Sequence, residues 1–514
     1  MNRPRSLFTA LVLPAVLSGW GCGETTASIG PLHADLPTYS PAASGGASRA
    51  AAGRERPPAS SEARPSPFPK AQAHTLKNGV TIVVVEAHAL PIVQLRVVVR
   101  AGMGYAPKQP GLAELTGEML KDGGTRSLTS AALLRRIEGL GADLSVDVGF
   151  DATTVATGVT RSHFDEALAL LAEVVQAPRF DEGELAKLKA RATDEAEDQL
   201  RSNGQFTAMH AVFRELYPDG SPYASYGALP ADIAKVTPAA VRDFHRRFYV
   251  PSNVTVVVAG DVTFALASAL VERAFGGLAG GAPPKVDFPE KPASAKRRVL
   301  VLHRPKSAQS DVFVAGLGPT RSATDWAEAR VCNQILGGGM AGRLFADVRE
   351  QRSLAYSAYS RVVELAHGAQ PVLAYAGTQT EKTADAVLGL LENEERIVAS
   401  GVTEDETRGA RRYLSDVFAV RMETVGSIAN MTAELTTLGL PYDYWDTYRG
   451  AVRATAAGAA SAAAPKLYHP AAALVVVAGD ADAIAPKLAR YGEVTVLDPE
   501  HQFSSIRTLA SEQK

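Results

Sequence analysis

Short runs of β-branched residues alternate with longer stretches of helical spacing through most of this chain. Residues 80–85 (VTIVVV) and 92–99 (IVQLRVVV), parted by a turn at Pro91, predict two adjacent strands. Helical patterns follow over 111–121 and 130–140, then strands over 143–148 and 153–159, then long helices over 163–176 and 181–201. A buried valine strand at 254–259 ends this half at Gly260 and Asp261. The Gly- and Pro-rich stretch 276–292 breaks the pattern and reads as a linker.

The second half repeats the first. Tyr249-Val250-Pro251 leads into VTVVVAGD, and Tyr468-His469-Pro470 leads into LVVVAGD, with Gly260 and Gly479 standing 219 residues apart. A shared order of elements at a shared spacing indicates a duplicated α/β domain of roughly 200 residues. The expected units are 70–278 and 298–500, joined by 279–297 and followed by a tail at 501–514.

The N-terminus differs in kind. Arg3 and Arg5 precede an apolar stretch over 7–20, then Gly21 and Cys22, which describes a secretory signal. A cysteine after a small residue resembles a bacterial lipoprotein signal, which implies lipidation at Cys22; plain signal cleavage nearby is the alternative. Residues 23–69 are rich in Ala, Ser, Pro and Gly, too poor in apolar surface to offset ordering entropy, and read as a flexible tether. The expectation is an exported, periplasmic protein held by lipid to the outer membrane, since Gly23 offers no aspartate-type inner-membrane retention signal.

Composition narrows the chemistry. The chain of 514 residues is 46% hydrophobic and 21% charged, with a formal net charge of -2, so nothing electrostatic points to nucleic acid. Two cysteines exclude a thiolate zinc cluster, and Cys332, inside a buried helical pattern, reads as an inert core thiol. His163, His210 and His245 are isolated and read as surface or capping residues.

Residues 102–125 (GMGYAPKQPGLAELTGEMLKDGGT) resemble the active-site helix of the pitrilysin/insulinase metallopeptidases, the inverzincins. There a Gly-Leu-Ala turn introduces H-x-x-E-H, whose histidines at i and i+4 hold zinc while the glutamate activates water. Here those positions carry Glu114, Gly117 and Glu118, with no imidazole and no general base. The family's downstream glutamate ligand corresponds to Glu195, 77 residues beyond Glu118. Three carboxylates can hold a hard cation such as Mg²⁺ or Ca²⁺; the alternative is a solvated remnant of the old site.

Residues 336–359 (LGGGMAGRLFADVREQRSLAYSAY) resemble the family's substrate-handling segment, in which an Arg and a Tyr seven positions apart grip the peptide backbone and steady the tetrahedral intermediate. These are Arg349 and Tyr356. Gly337, Gly338 and Gly339 lack the following Lys-Ser/Thr of a phosphate-binding loop and read as a flexible loop that meets peptide. Leu144, Val146 and Val148 alternate with polar neighbours, which fits the edge strand to which family substrates add and fits an ordinary core strand nearly as well.

The resemblance implies an α+β fold of two tandem homologous α/β-sandwich domains, each an antiparallel-rich mixed sheet flanked by helices. It also implies a non-catalytic subunit, similar to the alpha chain of mitochondrial processing peptidase. Such a subunit carries no zinc of its own, pairs with a zinc-bearing homologue, and lends Arg349 and Tyr356 to the partner's site for peptide substrates. The rival readings are a structural or peptide-binding pseudo-peptidase, as with the core proteins of respiratory complex III, and a carboxylate-metal hydrolase built on Glu114, Glu118 and Glu195.

Overall fold

Valine-rich runs with buried side chains on both faces form the centres of two mixed sheets. A computed structural model describes residues 66–292 and 294–512. In the first half, β1 (Ala71–Thr75), β2 (Thr81–Glu86), β3 (Ile92–Val99), β4 (Ser145–Val148), β5 (Thr153–Thr160) and β6 (Val254–Gly260) lie in the order β1-β2-β6-β3-β5-β4. The second half contains β7 (Arg298–His303), β8 (Gln309–Thr320), β9 (Ala355–Val362), β10 (Ala369–Gln379), β11 (Leu474–Gly479), β12 (Glu493–Asp498) and β13 (Ser504–Leu509), in the order β13-β12-β7-β11-β8-β10-β9.

The duplication holds at the level of strand pairing. β6 runs parallel to β2 and antiparallel to β3, and β11 runs parallel to β7 and antiparallel to β8. One expectation is corrected here. β2 and β3 are neighbours in sequence but not in the sheet, because β6 returns from more than 150 residues downstream to lie between them. No pattern local to residues 80–99 carries that information.

Two boundaries also shift. Phe68, assigned to the tether, is buried in the core and its backbone N–H donates to Asp446 at 3.0 Å. Residues 504–509, assigned to the tail, pair with β12 as an antiparallel strand. Cys22, the signal and nearly all of the tether lie outside the described residues.

The helices α1 (Leu112–Asp122), α2 (Ser130–Gly139), α3 (Phe164–Gln176), α4 (Glu182–Ser202) and α5 (Gly204–Leu216) follow the first strands. Asp181 caps α4 through Gly183 and Glu184, and Asn203 stops α4 and caps α5 through Phe206. The helix break at 203 redirects the chain. α5 packs not on its own sheet but on β8 and β11 of the other half, pressing Met209, Val212 and Phe213 into a cluster with Leu302, Phe313, Leu373 and Val476. The helix Val425–Leu438 returns the exchange, packing on β3 and β6 of the first sheet. Each half therefore completes the other's core, at roughly 1.5–3 kcal/mol per fully buried large apolar side chain.

Polar contacts lock this exchange. Arg96 on β3, 9% exposed, donates from Nε to the Asn430 amide oxygen at 2.7 Å and from Nη1 to the carbonyls of Leu95 and Thr157. Arg304, from the second half, donates to the carbonyls of Arg201 and Ser202 at the C-terminus of α4. Among the described residues no helix is long and apolar enough to cross a membrane.

Candidate functional site

α1 begins at Gly111, which adopts a left-handed φ of 87° beside Ala228; a Cβ there would sit 2.9 Å from the Ala228 Cβ. Leu112, Leu115, Met119 and Leu120 bury the inner face of the helix, which leaves Glu114 and Glu118, one turn apart, on a half-buried face. Burial pushes the Glu114 carboxyl up to about 7, and the charge of Asp232 acts in the same direction. Burial likewise raises the Glu118 carboxyl.

The neighbour of Glu118 is a cation supplied by the chain itself. Arg191 on α4 donates from Nη2 to Glu118 at 3.1 Å and to Asp122 at 3.0 Å. Glu195 stands one turn further along α4, exposed, and its charge adds to the field on Arg191. The structure thus brings the helices bearing Glu118 and Glu195 together, with a guanidinium bound to Glu118. Sequence reasoning missed Arg191; its only signal is the i, i+4 spacing to Glu195.

These residues do not fit a zinc ion of the family's type. Among the described residues no group of three or more His, Cys, Asp or Glu side chains is placed to hold a metal, so Glu114, Glu118 and Glu195 do not form one. The position of the missing base is also closed sterically: a Cβ on Gly117 would lie 2.4 Å from Val148 Cγ2 and 3.3 Å from Val146 Cγ1. Both valines belong to β4, which the sheet order makes an edge strand rather than a core one, with Ser145 and Asp147 outward.

The second half assembles Arg349 and Tyr356. A π-helical turn, Phe345–Gln351, follows the glycines and precedes β9. Its anchor is Asp347, 1% exposed, whose carboxylate accepts hydrogen bonds from Arg352 at 2.8 Å, Arg396 at 2.8 Å and Asn393 at 2.6 Å. Two residues on, the Arg349 guanidinium lies between two rings, 4.6 Å from the Phe345 centroid and 4.9 Å from that of Tyr356. It has no ion pair or hydrogen bond with any described residue, so its N–H edges are free. Tyr356 is 80% exposed. Ala355 pairs with Thr378 and Ser357 with Gly377, which makes Tyr356 the extra residue of a β-bulge and turns it out of the strand.

The glycines divide in role. Gly337 ends the helix Trp326–Gly337 against β9, where a Cβ would meet the Ser360 nitrogen at 2.3 Å, so it permits close packing and is no part of a loose loop. Gly338 and Gly339 continue into a surface turn whose Met340 is 79% exposed. Cys332 is fully buried, which pushes its thiol up to about 12. His245 caps α3, with Nε2 at 2.7 Å from the Val175 carbonyl. His210 corrects the expectation of a surface residue: it is 6% exposed, stacked on Phe503, and burial depresses it to about 4.

Comparison with known proteins agrees with this geometry. Residues 81–223 match the insulinase (peptidase family M16) family model, and residues 235–414 match the model described as the peptidase M16 inactive domain. A Helicobacter pylori protein named a non-peptidase homolog is 25% identical over 372 residues, covering 72% of this chain and 84% of that protein. An uncharacterised zinc protease of Mycobacterium leprae is 29% identical over 314 residues, 59% of this chain and 68% of that protein. The crystal structure of a peptidase M16 inactive domain from Pseudomonas fluorescens superposes with a TM-score of 0.73 at 27% identity, covering 80% of this chain and 98% of that one. With two matching models spread over both halves and this architecture, the chain belongs to the insulinase family of peptidases, M16, as a homologue whose zinc motif is lost.

Proposed function

We propose that this protein is the non-catalytic subunit of a heterodimeric zinc endopeptidase, binding peptide and lending Arg349 and Tyr356 to a zinc-bearing homologue's site. The observation that carries this reading is the contrast between the two halves. On α1 the base position is packed shut and Glu118 is engaged by Arg191. In the turn before β9, Arg349 lies over the rings of Phe345 and Tyr356 with no counter-ion among the described residues.

A free guanidinium beside an exposed phenol offers several hydrogen-bond donors in a set geometry. Donors so placed bind a peptide carbonyl and stabilise negative charge that develops on its oxygen, while a metal and base from elsewhere activate water. The aromatic rings hold the guanidinium in place without neutralising it, so little reorganisation is needed at the moment of reaction. Placement at the exported face of a membrane, with Cys22 as lipid anchor and 23–69 as tether, belongs to the same proposal.

Co-expression with an M16 homologue that retains H-x-x-E-H, from the same organism, tests the reading. The two chains are expected to co-purify, and peptide hydrolysis is expected to require both. Arg349→Ala should lower kcat/KM by roughly 10²-fold while the complex stays intact. No association, together with hydrolysis by the homologue that ignores Arg349→Ala, would overturn it. Association and peptide binding with no hydrolysis would instead favour a structural, peptide-binding role.

A further inference from the structure

The turn that carries Arg349 is held open by one residue. In the π-helical turn Phe345–Gln351 the wide hydrogen bond runs from the Arg352 N–H to the Asp347 carbonyl at 3.0 Å, five residues back. The same two residues meet again through their side chains, Arg352 Nε donating to Asp347 Oδ1 at 2.8 Å. A backbone bond and a charge-assisted side-chain bond thus close one loop, with Arg349 inside it. The residue after this pair, Ser353, takes a left-handed φ of 50°, a conformation that costs a serine free energy and persists only where its surroundings over-determine it. Lys382 Nζ donates to the Ser353 carbonyl at 2.9 Å.

Those surroundings are donors fixed on the helix Thr383–Ser400. Asn393 and Arg396 donate to Asp347 Oδ2 at 2.6 and 2.8 Å, and Arg352 Nη1 reaches Glu392 on the same helix at 2.7 Å. Asn393 is wholly buried; its Nδ2 also donates to the Gly389 carbonyl at 2.7 Å, while its Oδ1 has no partner. Turning the amide over would set that oxygen against a carboxylate and a carbonyl, so holding Asp347 outweighs satisfying Oδ1. Charges balance as well, Asp347 and Glu392 standing against Arg352 and Arg396. The Asp347 carboxylate is fully engaged, and Arg349, two residues away, keeps its charge without a counter-ion among the described residues.

Arg349 itself lies over the rings of Phe345 and Tyr356, 4.6 and 4.9 Å from their centroids. A ring face attracts a cation anywhere within about 6 Å of its centroid, which is a loose constraint. The place of the guanidinium along those rings is therefore set by the backbone that bears it, and that backbone is set by Asp347. Precision matters here, because a displacement of about 1 Å at a positioned group can cost on the order of 10²-fold.

We infer that Asp347 is the positioning residue of this site: clamped by Arg352, Asn393 and Arg396, it holds the wide turn at the setting in which Arg349 meets a bound peptide beside Tyr356. Asp347 touches no peptide itself and acts only through Arg349. This deepens the proposed function and rests on that reading's peptide binding.

A double-mutant cycle tests it, read by fluorescence anisotropy of the full chain with fluorescein-labelled random dodecapeptides. Asp347→Asn keeps the shape of the side chain and removes the charge that Arg352 and Arg396 hold. Arg349→Ala is expected to weaken binding by about tenfold or more, and Asp347→Asn by most of that factor. Adding Asp347→Asn to Arg349→Ala should change affinity by less than about twofold, because nothing remains to be positioned. A general loosening of the fold would instead multiply the two losses. Arg352→Met opens the same loop while leaving Asp347 paired with Arg396 and Asn393, and it carries the cycle if Asp347→Asn does not fold. Wild-type affinity in Asp347→Asn and Arg352→Met, or losses that multiply with that of Arg349→Ala, overturns the inference and leaves the proposed function standing. Binding by Arg349→Ala equal to wild type, or no binding by wild type, removes both.

Discussion

Gly117 and Val148 are in steric register: the strand β4 lies so close to α1 that a Cβ on the glycine would come within 2.4 Å of the valine's Cγ2. The family's base position has been closed by packing as well as by substitution. Rebuilding the motif alone, as Glu114→His, Gly117→Glu and Glu118→His together, is therefore expected to give no stoichiometric zinc binding. Adding Val148→Ala and Arg191→Ala should make room and remove the resident cation, and zinc content by atomic emission should rise. Peptide hydrolysis by the triple variant on its own would show that the closure is immaterial.

Glu114 makes stability depend on pH with a definite sign. An unfolded glutamate titrates near 4.3, whereas folding raises this one to about 7. Between those values the unfolded chain loses its proton first, so the contribution is full below about pH 4 and is lost as pH rises to 7. Glu114→Gln should thus match wild type at pH 4 and be more stable at pH 8, by on the order of 1 kcal/mol given partial exposure. Thermal unfolding of both proteins across that range decides it; a difference independent of pH would contradict the burial argument.

The reciprocal exchange of α5 and the helix Val425–Leu438 predicts that the halves unfold together. Calorimetry of the intact chain should show one transition, and residues 66–278 expressed alone should fail to fold, lacking the helix that covers β3 and β6. Arg304→Ala, which frees the carbonyls of Arg201 and Ser202, should cost about 1–2 kcal/mol. Two separable transitions would contradict a shared core.

Gly337→Ala probes the support of the Arg349–Tyr356 pair. The added methyl would meet backbone atoms of Tyr359 and Ser360, which cannot rotate away as a side chain can. The expected cost is roughly 2 kcal/mol or more, with peptide binding weakened further than stability alone accounts for, since β9 must shift. Unfolding midpoints and peptide titration on the same preparation separate the two effects. Full-strength peptide binding in this variant would detach the glycine from the site.

Much of the site was legible from residue spacing. The helical pattern over 111–121, seen as the helix Leu112–Asp122, and the seven-residue interval that sets Arg349 beside Tyr356 rest on local patterns. The alternation of Val146 and Val148 fits an edge and a core strand alike, and only the sheet order makes β4 an edge. Arg191 was not legible as a partner of Glu118, because 73 residues separate them and nothing in either helix specifies the other. The bulge that turns Tyr356 outward depends on the register of β9 against β10, which alternation alone does not set. His210 looked like a surface residue because its burial is imposed by Phe503, nearly 300 residues away.

By itself, the order of residues determined the strands and helices, the duplication marked by Gly260 and Gly479, and the loss of any zinc-binding imidazole on α1, since periodicity and residue identity are local properties. Tertiary structure alone decided which strand lies between β2 and β3, which half α5 serves, and which arginines find a counter-ion. Those outcomes come from the competition of distant segments for the same buried surface and the same hydrogen bonds, and that competition is settled only when the whole chain packs.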